Sequence, residues 1–236
     1  MNNHHGFNWL SFLPGFYEYG HVYGAVLVSV LLILFTWIAS FRLNRAFQSK
    51  EGALIPESKL SIKNIFEIIA ESLFSLTEGT IGSQDAPKYF PVVGALFLFI
   101  FASNALGLIP GFLPPTDNIN TTLALGIFVF FYYNYVGLKE HGVSYLKHFL
   151  GPIIWLAPLM LVIELASHIF RPLSLALRLR GNIMGDHVVL GVFSDLVPYL
   201  LPVIFYGLGV FVAFIQAFVF CLMTMVYISL STSHDH

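Results

Sequence analysis

The sequence predicts an all-α integral membrane protein with about five spanning helices and one interfacial helix, and three observations support that expectation. Of its 236 residues, 57% are hydrophobic and 10% charged, with a mean hydropathy of +0.78. A soluble domain has about 25% charged residues, so the bilayer is the solvent here. The apolar residues fall into uncharged runs long enough to cross a membrane. The eleven Lys and Arg residues are also placed unevenly. Arg42, Arg45, Lys50, Lys59, Lys63 and Lys88 follow the first apolar run, and Lys139 and Lys147 follow the third, while residues 1–41, 114–120 and 181–236 contain none. Short cytoplasmic loops collect Lys and Arg. That pattern predicts an outer N-terminus, two basic inner loops and a cytoplasmic C-terminus.

Residues 1–20 read as an outer segment, and the absence of Lys or Arg before the first apolar run argues against a cleaved signal peptide. Residues 21–41 contain no formal charge and match the roughly 20 residues of one spanning helix. In residues 59–82, Ile62, Ile65, Phe66, Ile69, Phe74 and Leu76 recur at helical spacing opposite Lys63, Glu67 and Glu71. An amphipathic helix of that kind lies in the interface. Residues 89–138 form an expected helical pair, spans 89–113 and 121–138, joined by a Pro- and Asx-rich turn.

Residues 153–232 differ, because ionisable groups interrupt the apolar run and 38 charge-free residues, 196–233, follow. A helix from Pro202 to Ser231 would be about 43 Å long against a hydrocarbon core of about 30 Å. The preceding helix is similarly long, so a strongly tilted helical hairpin is expected.

The first arm of that hairpin holds Glu164, His168, Arg171, Arg178, Arg180, Asn182, Asp186 and His187. A charge at membrane depth costs several kcal/mol and usually faces a partner, a cavity or an ion path. At about 100° per residue, Glu164, His168, Arg171, Arg178, Asn182 and Asp186 share one face, and Arg180 and His187 point the other way. Glu164 lies about 21 Å of helix before Arg178, and Asp186 about 12 Å after it. Carboxylates and histidines can exchange protons near neutral pH, whereas arginine stays charged. Titratable groups on either side of a permanent cation describe two half-paths separated by an electrostatic plug. Glu164 paired with Arg171 or His168 is also compatible with a structural ion pair, and Gln216 with an interhelical hydrogen bond. Arg178 has no acidic neighbour one turn away, so its partner is expected elsewhere in the fold or on another protein.

No metal site or cofactor is expected: Cys221 stands alone, and no Cys/His spacing resembles a zinc site. An ion-coupled secondary transporter is the alternative class, but the inverted repeats and broken helices of such proteins are not visible. An intramembrane hydrolase would need a motif such as HExxH or GxSxG, and neither occurs.

The segments LSLALRLRGN (173–182), FIQAFVF (214–220) and VYIS (226–229) resemble subunit a of F-type ATP synthases, as do the upstream NALGLIPG (104–111), NTTLALG (120–126), HGVSYLKHFLGP (141–152) and LVIELASHIFRPLSL (161–175). The resemblance covers about residues 60–232. It implies a stator subunit, not itself an enzyme, whose tilted hairpin clasps a rotating ring of c-subunits and whose other partners are b-type peripheral stalk subunits and the rest of the synthase. No nucleic acid is implied. Arg178 matches the family's essential arginine, facing the ring carboxylate. Glu164, Asn182 and Gln216 match positions lining aqueous half-channels, Ser167 and Ser174 match polar positions on the cytoplasmic side, and His187 matches a position in the outer path, with Asp186 beside it. Two positions depart from the pattern. Arg180 stands where the family usually has an apolar or aromatic residue, and Gly209 stands where many relatives have His or Glu. The implied location is a bacterial plasma membrane, with an organellar inner membrane as the alternative.

Overall fold

The computed structural model describes residues 9–12, 15–48, 62–142, 145, 157–196 and 200–232. Among these residues the protein is helical throughout, with α1 (Phe16–Gln48), α2 (Ile62–Ile81), α3 (Ala86–Leu106), α4 (Ile119–His141), α5 (Ala157–Leu196) and α6 (Leu200–Thr232), plus 3₁₀ turns at Trp9–Phe12 and Pro115–Asp117. Among the described residues, five helices are long and apolar enough to cross a membrane, with their apolar stretches at Tyr19–Ser40, Ala86–Leu106, Ile119–His141, Leu159–Phe193 and Val203–Thr232.

Local chemistry sets the helix ends. Pro87 in the first turn of α3 removes an N–H that has no intrahelical acceptor there. The helix stops at Leu106, earlier than the expected 113, because the segment through Pro114 turns, with Gly111 at φ +88°. The Asn118 side chain accepts a hydrogen bond from the Asn120 backbone N–H at 2.9 Å and caps α4. Gly142, at φ +56°, ends it after Lys139 and His141, whose position suits the negative end of the helix dipole.

The core lies where α3 packs along α6 and α4 along α5, with α4 also against α6. Tyr89, Val93, Phe97 and Ile100 on α3 meet Ala217, Cys221, Met225 and Ile228 on α6; both sets repeat at spacings of four, four and three, one stripe of a helix. Val129, Tyr133 and Val136 on α4 and Leu175, Leu179 and Ile183 on α5 extend the same cluster. The helix expected at 59–82 is described from Ile62, and it packs Leu73 and Thr77 against this core, with the Thr77 hydroxyl 3.3 Å from the Met225 sulfur. Residues 59–61, 153–156 and 197–199, parts of the expected interfacial helix and hairpin, lie outside the described residues. The two hairpin arms, α5 and α6, pack against each other. Helix α5 runs through Pro172 as one helix of 40 residues, and α6 has 33.

Candidate functional site

Helix α5 brings its polar residues to three different surroundings. Near its N-terminal end, Glu164 Oε1 lies 3.7 Å from His168 Nδ1 and 3.8 Å from an Arg171 guanidinium nitrogen. Both pairings weighed from the sequence are therefore present, sharing one carboxylate. His168 is 7% exposed, and its ring lies edge-on to Tyr133 and Phe130 at centroid distances of 5.7 and 6.1 Å. The Arg171 guanidinium sits 5.5 Å from the centre of the Tyr227 ring, a cation–π contact. Beyond α4, the Tyr145 hydroxyl donates to Asn134 Oδ1 at 3.0 Å, and Asn134 Nδ2 donates to the Phe130 carbonyl at 2.7 Å. Burial pushes the Tyr145 phenol up to about 12. It stays a neutral donor at any physiological pH, close enough to Glu164 and Arg171 to feel both charges. Ser167 is half-buried beside this group.

Arg178, about 10 Å further along the helix from Arg171, has a different environment. It is exposed, and among the described residues it forms no ion pair or hydrogen bond. Ser174, Gly181 and Gly185 are exposed within about 60° of it around the helix axis. A Cβ added at Gly181 or Gly185 would meet nothing within 4 Å. Asn182 is exposed one turn beyond. The cation thus stands on an open face bordered by small residues.

Toward the C-terminal end of α5, Asp186 lines a pocket of about 50 Å³ with Ile183, Asn104, Leu108, Gly209 and Gln216. One water needs about 10–15 Å³, so a few waters fit. Gln216 is 9% exposed and Asn104 6%. Asn104 Oδ1 accepts from the Thr116 hydroxyl at 2.7 Å, and its buried amide N–H₂ has no hydrogen-bond partner. A buried donor without a partner costs about 1–3 kcal/mol unless water reaches it. Gly209 keeps the wall thin: a Cβ there would come within 2.6 Å of the Leu108 side chain. His187 follows Asp186 on α5, and its side chain lies outside what the structure describes.

The site residues read from the sequence therefore separate into a paired group at Glu164, His168 and Arg171, with Ser167 on the same stretch of α5, an open face at Ser174, Arg178 and Asn182, and a pocket at Asp186 and Gln216. Asn104, Tyr133, Tyr145 and Tyr227 join them without having been singled out. Asn104 carried a signal, an amide inside an apolar helix. The tyrosines carried little, because 24 Phe and 11 Tyr make aromatics ordinary in this chain. No group of His, Cys, Asp or Glu able to hold a metal ion occurs among the described residues.

Among the described residues, helices throughout, five of them of membrane length, and an exposed arginine within the apolar stretch Leu159–Phe193 define a multi-pass membrane protein with a charge inside one of its candidate spans. The family model described as ATP synthase A chain matches residues 22–229. ATP synthase subunit a of Bdellovibrio bacteriovorus is 47% identical over 232 residues, covering 98% of this chain and 99% of that protein. ATP synthase subunit a of Geobacter sulfurreducens is 49% identical over 175 residues, 74% of this chain and 76% of the relative, and ATP synthase subunit a 1 of Pelobacter propionicus is 46% identical over 210 residues, 89% and 86%. The chain belongs to the ATP synthase subunit a family, the membrane component of a multi-subunit complex, and the transporter alternative is not favoured.

Proposed function

We propose that this chain is the stationary proton-conducting subunit of a rotary ATP synthase, with two offset half-channels that load and unload the carboxylates of a rotating c-subunit ring. The observation that supports it most is Arg178, exposed and without an ion-pair or hydrogen-bond partner among the described residues, between the Glu164–His168–Arg171 group on one side and a pocket bordered by Asp186, Asn104 and Gln216 on the other. An uncompensated guanidinium in lipid is costly, so a carboxylate from another subunit is the partner the chemistry calls for.

The mechanism follows from charge. A protonated carboxylic acid faces hydrocarbon far more cheaply than a carboxylate, so a ring site leaves the stator only when loaded. Arg178 attracts the unloaded carboxylate, releases it once neutral, and blocks direct proton flow between the half-paths. Each elementary charge crossing 100 mV gains about 2.3 kcal/mol, which is the driving force to be kept from leaking. Glu164, Ser167, His168 and Ser174 border the cytoplasmic half-path. Asn182, Asp186 and Gln216 border the outer one, with Asp186 as the relay beside His187. The chain is not itself catalytic. It sits in a bacterial plasma membrane with its N-terminus outside and its C-terminus in the cytoplasm, and it contacts the c-ring and b-type stalk subunits.

Arg178→Ala tests this reading. In membrane vesicles holding the assembled complex, ATP-driven proton pumping is expected to disappear while subunit levels stay near wild type; full coupled pumping would reject the role of Arg178.

A further inference from the structure

Arg180 is a basic residue of α5 that the half-path reading leaves unused. It lies two residues after Arg178, about 200° around the helix, so the two guanidinium groups leave α5 on nearly opposite sides. Arg178 is exposed, whereas Arg180 is partly buried and its Nε donates to the Asp117 carbonyl at 3.0 Å, a contact spanning 63 residues of sequence.

The acceptor belongs to a well-anchored turn. Thr116 is fully buried and bonded to Asn104, and Asn118 caps α4. Pro114 and Pro115 press on Gly107 and Gly24, where an added Cβ would come within 2.7 and 3.1 Å of the proline rings. A second close contact holds α5 to α4: a Cβ on the buried Gly126 would lie 2.6 Å from the Pro172 carbonyl oxygen. Pro172 and Arg180 are about 12 Å apart along α5, and Arg178 falls between them. Measured around the helix from Glu164, Pro172 lies near 80° and Arg180 near 160°, while Arg178 lies near −40°, about 160° from the middle of the anchored side.

We infer that Arg180 is a positioning residue: its bond to the Pro115–Asp117 turn, together with the Gly126–Pro172 contact, sets the roll of α5 and thereby the direction in which Arg178 is presented. The buried Leu175, Leu179 and Ile183 hold α5 in the core, and these two specific contacts, about 12 Å apart along it, oppose its rolling over that apolar surface. A guanidinium suits the task because its donors are held in one plane, so a partly buried backbone carbonyl receives a strong, directional bond. The consequence for coupling rests on the proposed role of Arg178; the consequence for helix orientation does not.

The test uses the whole complex in inverted membrane vesicles. Arg180→Leu is compared with Arg180→Lys for ATP-driven proton pumping per ATP hydrolysed. In parallel, spin labels on Phe128→Cys and Leu177→Cys, in a Cys221→Ala background, report the distance between α4 and the outward face of α5. In Arg180→Leu, pumping per ATP is expected to fall about tenfold or more, in line with the cost of misplacing a reacting group, and the label distance to shift or broaden. Arg180→Lys, which keeps a charged donor, should restore both. Wild-type pumping in Arg180→Leu, an unchanged distance distribution, or a defect that Lys does not relieve would each overturn the inference. If Arg180→Leu does not accumulate, Arg180→Met is read in the same two assays. Arg178→Ala is the control: normal pumping there rejects the role of Arg178, while the label distances still judge the tether.

Discussion

Arg178 and Glu164 lie on one helix and meet opposite fates. Glu164 shares its carboxylate between His168 and Arg171, so its charge is compensated inside the chain. Among the described residues Arg178 has no such neighbour, and that asymmetry separates a group that can exchange protons from one that can only hold a charge. Asp186 stands between these cases, bordering a pocket roomy enough for a few waters that also contains the spare amide donor of Asn104. If Asp186 is the outer relay, Asp186→Asn should slow ATP-driven pumping by about 10²-fold, the usual contribution of a positioned acid or base, and His187→Gln by much less. Proton-pumping rates normalised to assembled complex decide between them, and the reverse ranking would move the relay to His187. At the other end, Glu164→Gln removes the carboxylate shared by His168 and Arg171. It should lower pumping together with complex stability, read as the thermal inactivation temperature, because the buried His168 and the half-buried Arg171 then lose their anionic partner.

Helix α5, at 40 residues, is about 60 Å long, roughly twice the hydrocarbon thickness, so it must tilt or extend beyond the bilayer. Its packing on α4 and α6 helps to fix it, and Gly126 is a point where the α4 and α5 backbones come close. Gly126→Leu should force the two backbones apart, at an expected cost of about 1–3 kcal/mol for overpacking, and reduce the amount of assembled subunit in membranes, measured by immunoblot; normal accumulation would show that the contact is not needed. The same packing explains what was legible beforehand. The five apolar runs and the polar face of α5 follow from periodicity within single segments, so the fold class and Arg178 could be read directly. Rotation along one helix cannot tell what each part of that face meets. His168 turns toward α4, Glu164 toward its own neighbours His168 and Arg171, Asp186 toward α3 and α6, and Arg178 toward no other described helix, although all four share one side of an ideal wheel. The Arg180–Asp117 bond and the Asn104–Thr116 pair join segments distant in sequence or set by turn geometry, and no local spacing announces them.

Taken together, the described helices enclose polar groups at both ends of the α5 polar stretch and leave its middle uncovered among themselves. A chain that functioned alone in lipid would gain by neutralising or burying that middle cation, since an unpaired charge at such depth costs several kcal/mol. An open strip of Ser174, Gly181 and Gly185 around Arg178 instead suits close approach by another helix. The most direct measurement is a high-resolution structure of the assembled membrane complex, read for the surroundings of the Arg178 guanidinium. The account predicts a ring carboxylate within ion-pair or single-water reach of that group and no acidic partner from its own chain. A guanidinium neutralised by a residue such as Asp186, or facing lipid or water away from the ring, would contradict it.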